Sequence, residues 1–116
     1  TTTEKFDFLW LTPGPFAISP KFVHHLMDIT TTPIIFIEKM SYVKEGVLMA
    51  IDAGTTNYGR EAGEMVVSIL NGSSIYDMEI RRSKRFEIGI NLKTANKMKV
   101  VIPSDVLDLA KENLFN

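Results

Sequence analysis

The side chains most able to do chemistry are few and poorly placed for it. The two histidines, His24 and His25, are adjacent, and neighbouring helical residues point about 100° apart, so they cannot clasp one metal ion as an i, i+4 pair can. No serine occupies a Gly-x-Ser-x-Gly turn, which would expose a nucleophile between a strand and a helix. The absence of cysteine removes thiolate nucleophiles and zinc-thiolate sites. The residue types therefore predict no enzyme, no metal site and no cofactor.

Patterns that bind phosphate or nucleic acid are also missing. The glycines of Gly59-Arg60-Glu61-Ala62-Gly63 follow neither the dinucleotide nor the P-loop pattern after a strand. The loop Thr12-Pro13-Gly14-Pro15 lacks the acidic cluster that a receiver domain needs. The basic run 81–85 is most simply a solvated connection, and a net charge of -1 gives no overall field to hold a polyanion. We expect no nucleic-acid partner.

Length and composition indicate one globular domain spanning residues 1–116. Hydrophobic residues make up 45% and charged residues 23% of the chain, values typical of a packed soluble fold. No apolar run reaches the roughly 18 residues of a membrane helix. The first residues, Thr1 to Lys5, lack an initiator Met and the apolar core of a signal peptide, so the compartment has to be inferred in another way.

Apolar runs predict strands at 6–11, 34–37 and 47–51. Ser19-Pro20 is typical of a helix start, with Ser19 as the cap, and 30–33 ends that helix. A second helix, over 57–71, is predicted by an apolar face that Asn71-Gly72 terminates; its members are Tyr58, Ala62, Met65, Val66 and Ile69.

The rest of the chain is predicted as extended segments at 75–80 and 86–90, a short helix from Asn91 or Thr94 to Met98, and a final helix from Pro103. The final helix would carry Val106, Leu109, Ala110 and Leu114 on one face. Strands alternating with helices predict an α/β fold: a three-layer parallel sheet flanked by helices. Ligands of such folds bind at the carboxyl ends of the strands, here the loops 12–19, 38–45 and 52–57.

Several blocks of sequence resemble one family. They are Gly46-Val47-Leu48-Met49-Ala50, Tyr58-Gly59-Arg60-Glu61-Ala62-Gly63, Ile69-Leu70-Asn71-Gly72, Ile90-Asn91-Leu92-Lys93-Thr94-Ala95 and Ile102-Pro103. The chain is similar to the C-terminal half of ABC-transporter substrate-binding proteins that include tryptophan- and tyrosine-binding members. The resemblance spans Phe6 to about Leu114 and is most specific in the block from Ile90 to Ala95.

The resemblance implies one lobe of a type I periplasmic-binding-protein fold, in which two lobes close on a solute between them. The helix over 57–71 would pack on the missing N-terminal lobe. Without that lobe, Ala62, Val66 and Ile69 would be uncovered, and we expect the fragment to self-associate as a dimer.

The resemblance also implies ligand-binding residues; these are Thr12, Gly14, Glu38, Met40, Asp52, Gly54 and Asn57. Trp10 or Tyr42 could add a stacking surface. Amino-acid-binding members of the family carry acidic residues where this chain has Gly14, Met40 and Gly54. A buried ammonium group needs an anionic partner, so we expect a less cationic ligand unless Glu38 or Asp52 provides that charge.

The function implied is capture of a small solute, in the periplasm or on an extracellular membrane anchor, for delivery to an ABC permease. The alternative is a ligand-sensing input domain of a membrane receptor kinase or cyclase, because the same two-lobed fold serves both roles.

Overall fold

The computed structural model describes residues 6–15, 19–37, 39–82 and 86–116. The chain forms two compact units: unit 1 is Thr1–Asp52 with Glu87–Asn116, and unit 2 is Ala53–Phe86. The elements of unit 1 are β1 (Leu9–Leu11), α1 (Pro20–Ile29), β2 (Ile34–Ile37), α2 (Ser41–Glu45), β3 (Met49–Asp52), β4 (Glu87–Asn91), α4 (Leu92–Met98), α5 (Ser104–Leu109) and β5 (Leu114–Phe115). Unit 2 contains α3 (Thr55–Leu70) and a 3-10 helix (Ile75–Asp77).

The five strands form one sheet in the order β1-β2-β3-β4-β5. This confirms the predicted α/β class, but the sheet is mixed and not wholly parallel. Strands β1, β2 and β3 run parallel, as do β4 and β5, whereas β3 and β4 are antiparallel. The reason is topological: the chain leaves β3 at Asp52 and re-enters at Glu87, its direct register partner, so β4 must run back along β3.

One face of the sheet is covered by α1 and α2. Its buried residues are Val23, Ile34, Phe36, Tyr42, Val43, Val47 and Ala50. Helix α1 begins as predicted, with Pro20 in its first turn, where the missing N–H costs no hydrogen bond. Ser19 has the extended conformation of a cap residue, but its side chain makes no capping hydrogen bond, which corrects that part of the prediction.

The other face of the sheet packs mainly against α5. Ile88, Ile90 and Ala110 are buried there, with Met49, Ile51, Val106 and Leu107 packed around them. Successive strand residues alternate between the two faces, which is why Met49 and Ala50 belong to different clusters. Helices therefore lie on both faces of the sheet.

Several parts of unit 1 differ from the predicted elements: β1 begins at Leu9 and not at Phe6, and β3 begins at Met49 and not at Val47. The predicted loop 38–45 contains the short helix α2, whose Tyr42 and Val43 are buried in the core. The predicted final helix ends at Leu109, and Leu114 lies in β5 instead of on the helix face. A turn in which the Asn113 N–H donates to the Ala110 carbonyl redirects the chain into the sheet.

Unit 2 is dominated by α3, which begins three residues before Tyr58 and ends, as predicted, at Asn71-Gly72. The predicted extended segment 75–80 is wrong, because Ser74 caps a 3-10 turn by accepting a hydrogen bond from the Tyr76 N–H at 3.2 Å. Among the residues of unit 2 whose side chains are described, none is buried, and Tyr76 is 98% exposed. No helix in the described part of the chain is long and apolar enough to cross a membrane.

Candidate functional site

The predicted site loops of unit 1 follow parallel strands at one edge of the sheet. The chain leaves β1 at Leu11, and the next residue, Thr12, is exposed, while Gly14 lies half-buried in the turn that follows. Strand β3 ends at Asp52, which is half-buried. Because β1, β2 and β3 are parallel, Thr12 and Asp52 lie at the same edge of the sheet. Glu38 lies outside the described residues.

Two carboxylates face each other across the sheet at this edge. Asp52 of β3 and Glu87 of β4 are register partners, so their Cβ atoms are about 5 Å apart by the geometry of an antiparallel pair. Glu87 is exposed and Asp52 half-buried, so two acidic residues are neighbours at this edge of the sheet.

Met40 lies at the start of α2 and is half-buried. Its side chain packs against the core cluster of the α1 and α2 face. The sulfur lies directly over Gly89 of β4. The predicted site residue therefore lies on the sheet just inside its carboxyl edge.

The remaining predicted site residues, Gly54 and Asn57, belong to unit 2. Gly54 has φ 73°, a left-handed conformation that favours glycine, and takes the cap position of α3. Its carbonyl accepts hydrogen bonds from the backbone N–H groups of Asn57 at 3.0 Å and Tyr58 at 3.3 Å. The Asn57 side-chain amide donates to the Ala53 carbonyl at 2.8 Å. Asn57 therefore helps to fix the turn that starts α3.

Of the two predicted stacking residues, only Trp10 is accessible. Trp10 is 54% exposed and its ring centroid lies 6.5 Å from that of Phe8. Tyr42 is 2% exposed, with its ring 5.1 Å from that of Phe36, so the expectation that it offers a stacking surface is wrong. Burial raises the pKa of the Tyr42 hydroxyl, and the nearby Glu45 carboxylate raises it further.

Sequence reasoning missed a buried polar connection between α2 and the start of α4. The Asn91 side-chain amide donates to the Val43 carbonyl at 2.7 Å, and its oxygen accepts from the Thr94 N–H at 2.8 Å. The Thr94 hydroxyl donates to the Gly46 carbonyl at 2.9 Å. We call these three contacts the Asn91 latch. Asn91 at a helix start was the available signal, but its partners could not be read from the sequence.

Among the described residues, the histidines join no cluster of metal-ligating side chains. His24 of α1 contacts the Glu45 carboxylate of α2, and both side chains are largely exposed. Over the described ranges, no group of three His, Cys, Asp or Glu side chains is arranged to hold a metal ion.

A concave region is found in each of the two units. A cavity of about 250 Å³ lies near the start of β2 and includes Thr30, Thr32 and Lys97 in its lining. Unit 2 has an open polar groove along α3, which includes Arg60, Glu64 and Arg81. The Arg81 guanidinium donates to the Glu64 carboxylate at 3.2 Å in this groove.

The fold of this chain is similar to that of two solved structures. The crystal structure of the ABC domain in complex with L-Trp from Streptococcus pneumonia matches with a TM-score of 0.72 and 23% identity. A conserved domain protein from Vibrio cholerae O1 biovar eltor matches with a TM-score of 0.70 and 20% identity. The matches cover 96% and 95% of this chain but 38% and 36% of the respective neighbours.

Residues 14–114 match the ABC transporter substrate binding protein family, and the chain belongs to this family. The resemblance noted from the sequence blocks is thereby confirmed. A comparison with curated proteins found no match.

Proposed function

We propose that this chain is one lobe of an extracytoplasmic solute-binding protein that delivers a small solute to an ABC permease. The observation that supports the proposal most is the family match over residues 14–114. Since the chain spans 38% of its first structural neighbour, we propose that a second lobe of a longer protein completes the solute cleft. Binding and release, without covalent chemistry, would be its whole activity.

The solute would contact the carboxyl edge of the sheet and the start of α3. The proposed contact residues are Thr12, Gly14, Glu38, Met40, Asp52, Gly54 and Asn57, with Trp10 close in sequence to the first of them. Met40 offers a thioether, and Gly14 and Gly54 offer only backbone. A solute ammonium group at these three positions would be desolvated without an anionic partner. We therefore propose a solute less cationic than an amino acid, although one structural neighbour is a complex with L-Trp.

A thermal-shift screen of the gene product that carries this chain tests the function. The panel contains the standard amino acids, sugars, nucleobases, dicarboxylates and indole. A solute that binds only the folded protein stabilises it by about 2.7 kcal/mol at about 100 times its Kd. We expect at least one solute without an ammonium group to raise the Tm. A panel that leaves the Tm unchanged at millimolar concentration would contradict solute binding.

The charge of the solute is tested separately with Asp52→Asn, and Asp28→Asn on exposed α1 is the matched control. For a solute without an ammonium group we expect the affinity of Asp52→Asn to stay within about threefold of wild type. A loss of about tenfold or more in Asp52→Asn alone would show that Asp52 pairs with a cationic group. That result would overturn the proposed ligand class but not solute binding.

We further propose that the 116-residue chain self-associates through α3. Val66 is 54% exposed and Ile69 36% exposed on the predicted apolar face, and no side chain described in unit 2 is buried. An isolated helix of this length is marginal in water, so unit 2 gains stability from an apolar partner surface.

Light scattering over a concentration series tests this self-association. We expect Val66→Glu to shift the chain towards monomer. The control is Val67→Glu, since Val67 is similarly exposed at 57% but points about 100° away on the helix. A wild-type chain that stays monomeric at high concentration would contradict the proposal, as would equal effects of the two substitutions.

The location outside the cytoplasm and the permease partner are proposed from family membership. A net charge of -1 supports the expectation that nucleic acid is not a partner. Fractionation of cells that express the complete gene product, and co-purification with a permease, would test the first two proposals.

A further inference from the structure

We infer that Gly89 is a positioning residue for Met40: because Gly89 has no side chain, the thioether of Met40 lies flat on β4, just inside the carboxyl edge of the sheet. There the thioether forms an apolar floor for the solute. This inference rests on the proposed function and adds to it the residue that sets the position of one site side chain.

The backbone of Gly89 does not need a glycine. Gly89 lies within β4, opposite Ala50 of β3, and its φ is outside the left-handed region. A glycine in the interior of a strand weakens the strand relative to alanine, because glycine loses more conformational freedom on folding. Such a glycine is typical of a place where another group approaches the backbone closely.

The group that approaches is the Met40 side chain. A Cβ atom at residue 89 would overlap the Met40 sulfur, and it would lie 3.3 Å from the Met40 methyl carbon. On another side it would lie 3.5 Å from the ring of Phe115. The thioether therefore occupies the space that any other residue at 89 would fill.

The Asn91 latch fixes the helix that carries Met40 at a second point. Asn91 is two residues after Gly89 on the same face of β4, and Val43 is three residues after Met40 on the same side of α2. The hydrogen bond from the Asn91 amide to the Val43 carbonyl is 2.7 Å long. With α2 held in this way, an added Cβ at residue 89 can be accommodated by moving the flexible end of Met40.

Gly89→Ala is the direct test, because it should leave the sheet intact and displace the thioether. The position of Met40 is read from the NMR spectrum of methionine ¹³C-methyl groups. The chain has six methionines, and Met27 and Met98 near the start of β2 serve as internal references. We expect the Met40 methyl resonance to move and those of Met27 and Met98 to stay. The control is Gly63→Ala on α3, where an added Cβ meets nothing within 4 Å.

A double-mutant cycle with Met40→Ala separates the contact from a general effect of the substitution. In the Met40→Ala background the space over residue 89 is free, so Gly89→Ala should raise the Tm by a few degrees, because alanine is more favourable than glycine in a strand. In the wild-type background it should leave the Tm unchanged or lower it. If Gly89→Ala alone fails to fold, the double variant should restore folding.

The effect on the site is measured by the affinity for L-Trp and indole, which share a ring but differ in charged groups. If neither raises the Tm, the stabilising solute of the panel is used. We expect Gly89→Ala to weaken binding by about fivefold or more, because the added methyl group overpacks the site and displaces the Met40 side chain. Gly63→Ala should leave the affinity unchanged.

An unmoved Met40 methyl resonance, or additive Tm changes in the cycle, would overturn the inference. So would a displaced Met40 with unchanged solute affinity, because Met40 would then have no part in the site. A wild-type protein that binds no solute would overturn the proposed function and this inference with it. If Gly89→Ala and Met40→Ala are still coupled in the cycle, the packing of Met40 on Gly89 is correct and only the assignment of the solute site is wrong.

Discussion

Replacing Asn91 by alanine should destabilise unit 1 far more than replacing an exposed asparagine on the helix that Asn91 caps. Asn91 is 5% exposed and both ends of its amide are used, with the Val43 carbonyl at 2.7 Å and the Thr94 N–H at 2.8 Å. Asn96, which is exposed on α4, is the matched control.

The magnitude follows from what each partner loses. The Thr94 N–H lies in the first turn of α4, where no helix carbonyl can accept it, and loss of such a cap costs about 1 kcal/mol. The Val43 carbonyl keeps a hydrogen bond from the Gly46 N–H at 3.2 Å, so its loss is nearer to one net hydrogen bond, about 1 kcal/mol. A small cavity is left as well. We expect a total of about 2–3 kcal/mol, or a fall in Tm of roughly 10 °C.

Urea unfolding followed by circular dichroism gives this free energy for both variants. Asn96→Ala should change it by less than about 0.5 kcal/mol. Asn91→Asp should destabilise the protein at least as much as Asn91→Ala, since it buries a carboxylate whose second oxygen would face the Val43 carbonyl oxygen. If Asn91→Ala matched Asn96→Ala within error, the latch would have no role in stability and the reasoning would be refuted.

Three further predictions concern the same region. Thr94→Val removes the hydroxyl that donates to the Gly46 carbonyl at 2.9 Å, and urea unfolding should show a loss of about 1 kcal/mol. Gly46→Ala places a side chain at φ 121°, and the free energy of unfolding should fall by about 1–2 kcal/mol, whereas an unchanged value would contradict the strain. The raised pKa of Tyr42 means that the folded state holds its phenolic proton more tightly than the unfolded state does. The contribution of this proton to the free energy of unfolding is complete below the ordinary pKa of 10.0. It is lost as the pH rises through the higher pKa of the folded state. Above pH 10 the wild type should therefore lose stability more steeply than Tyr42→Phe, and parallel pH profiles would contradict the burial of this hydroxyl.

One strand was predicted with its bounds, whereas the strand predicted at 6–11 is confined to Leu9–Leu11. Ile34 to Ile37 form β2 with the predicted bounds, because a short run of β-branched and aromatic residues between turn signals favours a buried strand. The direction of β4 was not predictable, since apolar alternation is the same for parallel and antiparallel strands. It depends on where the chain re-enters the sheet after unit 2, next to Asp52.

Helix α2 was missed because five residues are too few to show a helical period. It exists through tertiary contacts: Tyr42 and Val43 are buried, and the Asn91 latch holds its carbonyls. Strand β5 has two residues, and no pattern of that length distinguishes a strand from the end of a helix.

The candidate site also contains features that the sequence predicts and features that depend on tertiary contacts. Thr12 and Asp52 were placed at one sheet edge by the general rule for parallel strands, which needs only the strand order and direction. The packing of Met40 on Gly89 depends on residues far apart in sequence, so no local pattern predicts it. The most specific block of the family resemblance, from Ile90 to Ala95, contains Asn91 and Thr94, and the fold accounts for these two residues through the Asn91 latch.

Chemical-shift mapping of a stabilising solute on the isotopically labelled gene product tests the central claim most directly. Unit 1 should respond in the backbone amides of Thr12, Gly14 and Asp52 and in the Met40 methyl group, at the carboxyl edge of β1 to β3. The amide chemical shifts of Thr30, Thr32 and Lys97, around the cavity near the start of β2, should not change. Shifts concentrated at that cavity, with none at the carboxyl edge, would contradict the account.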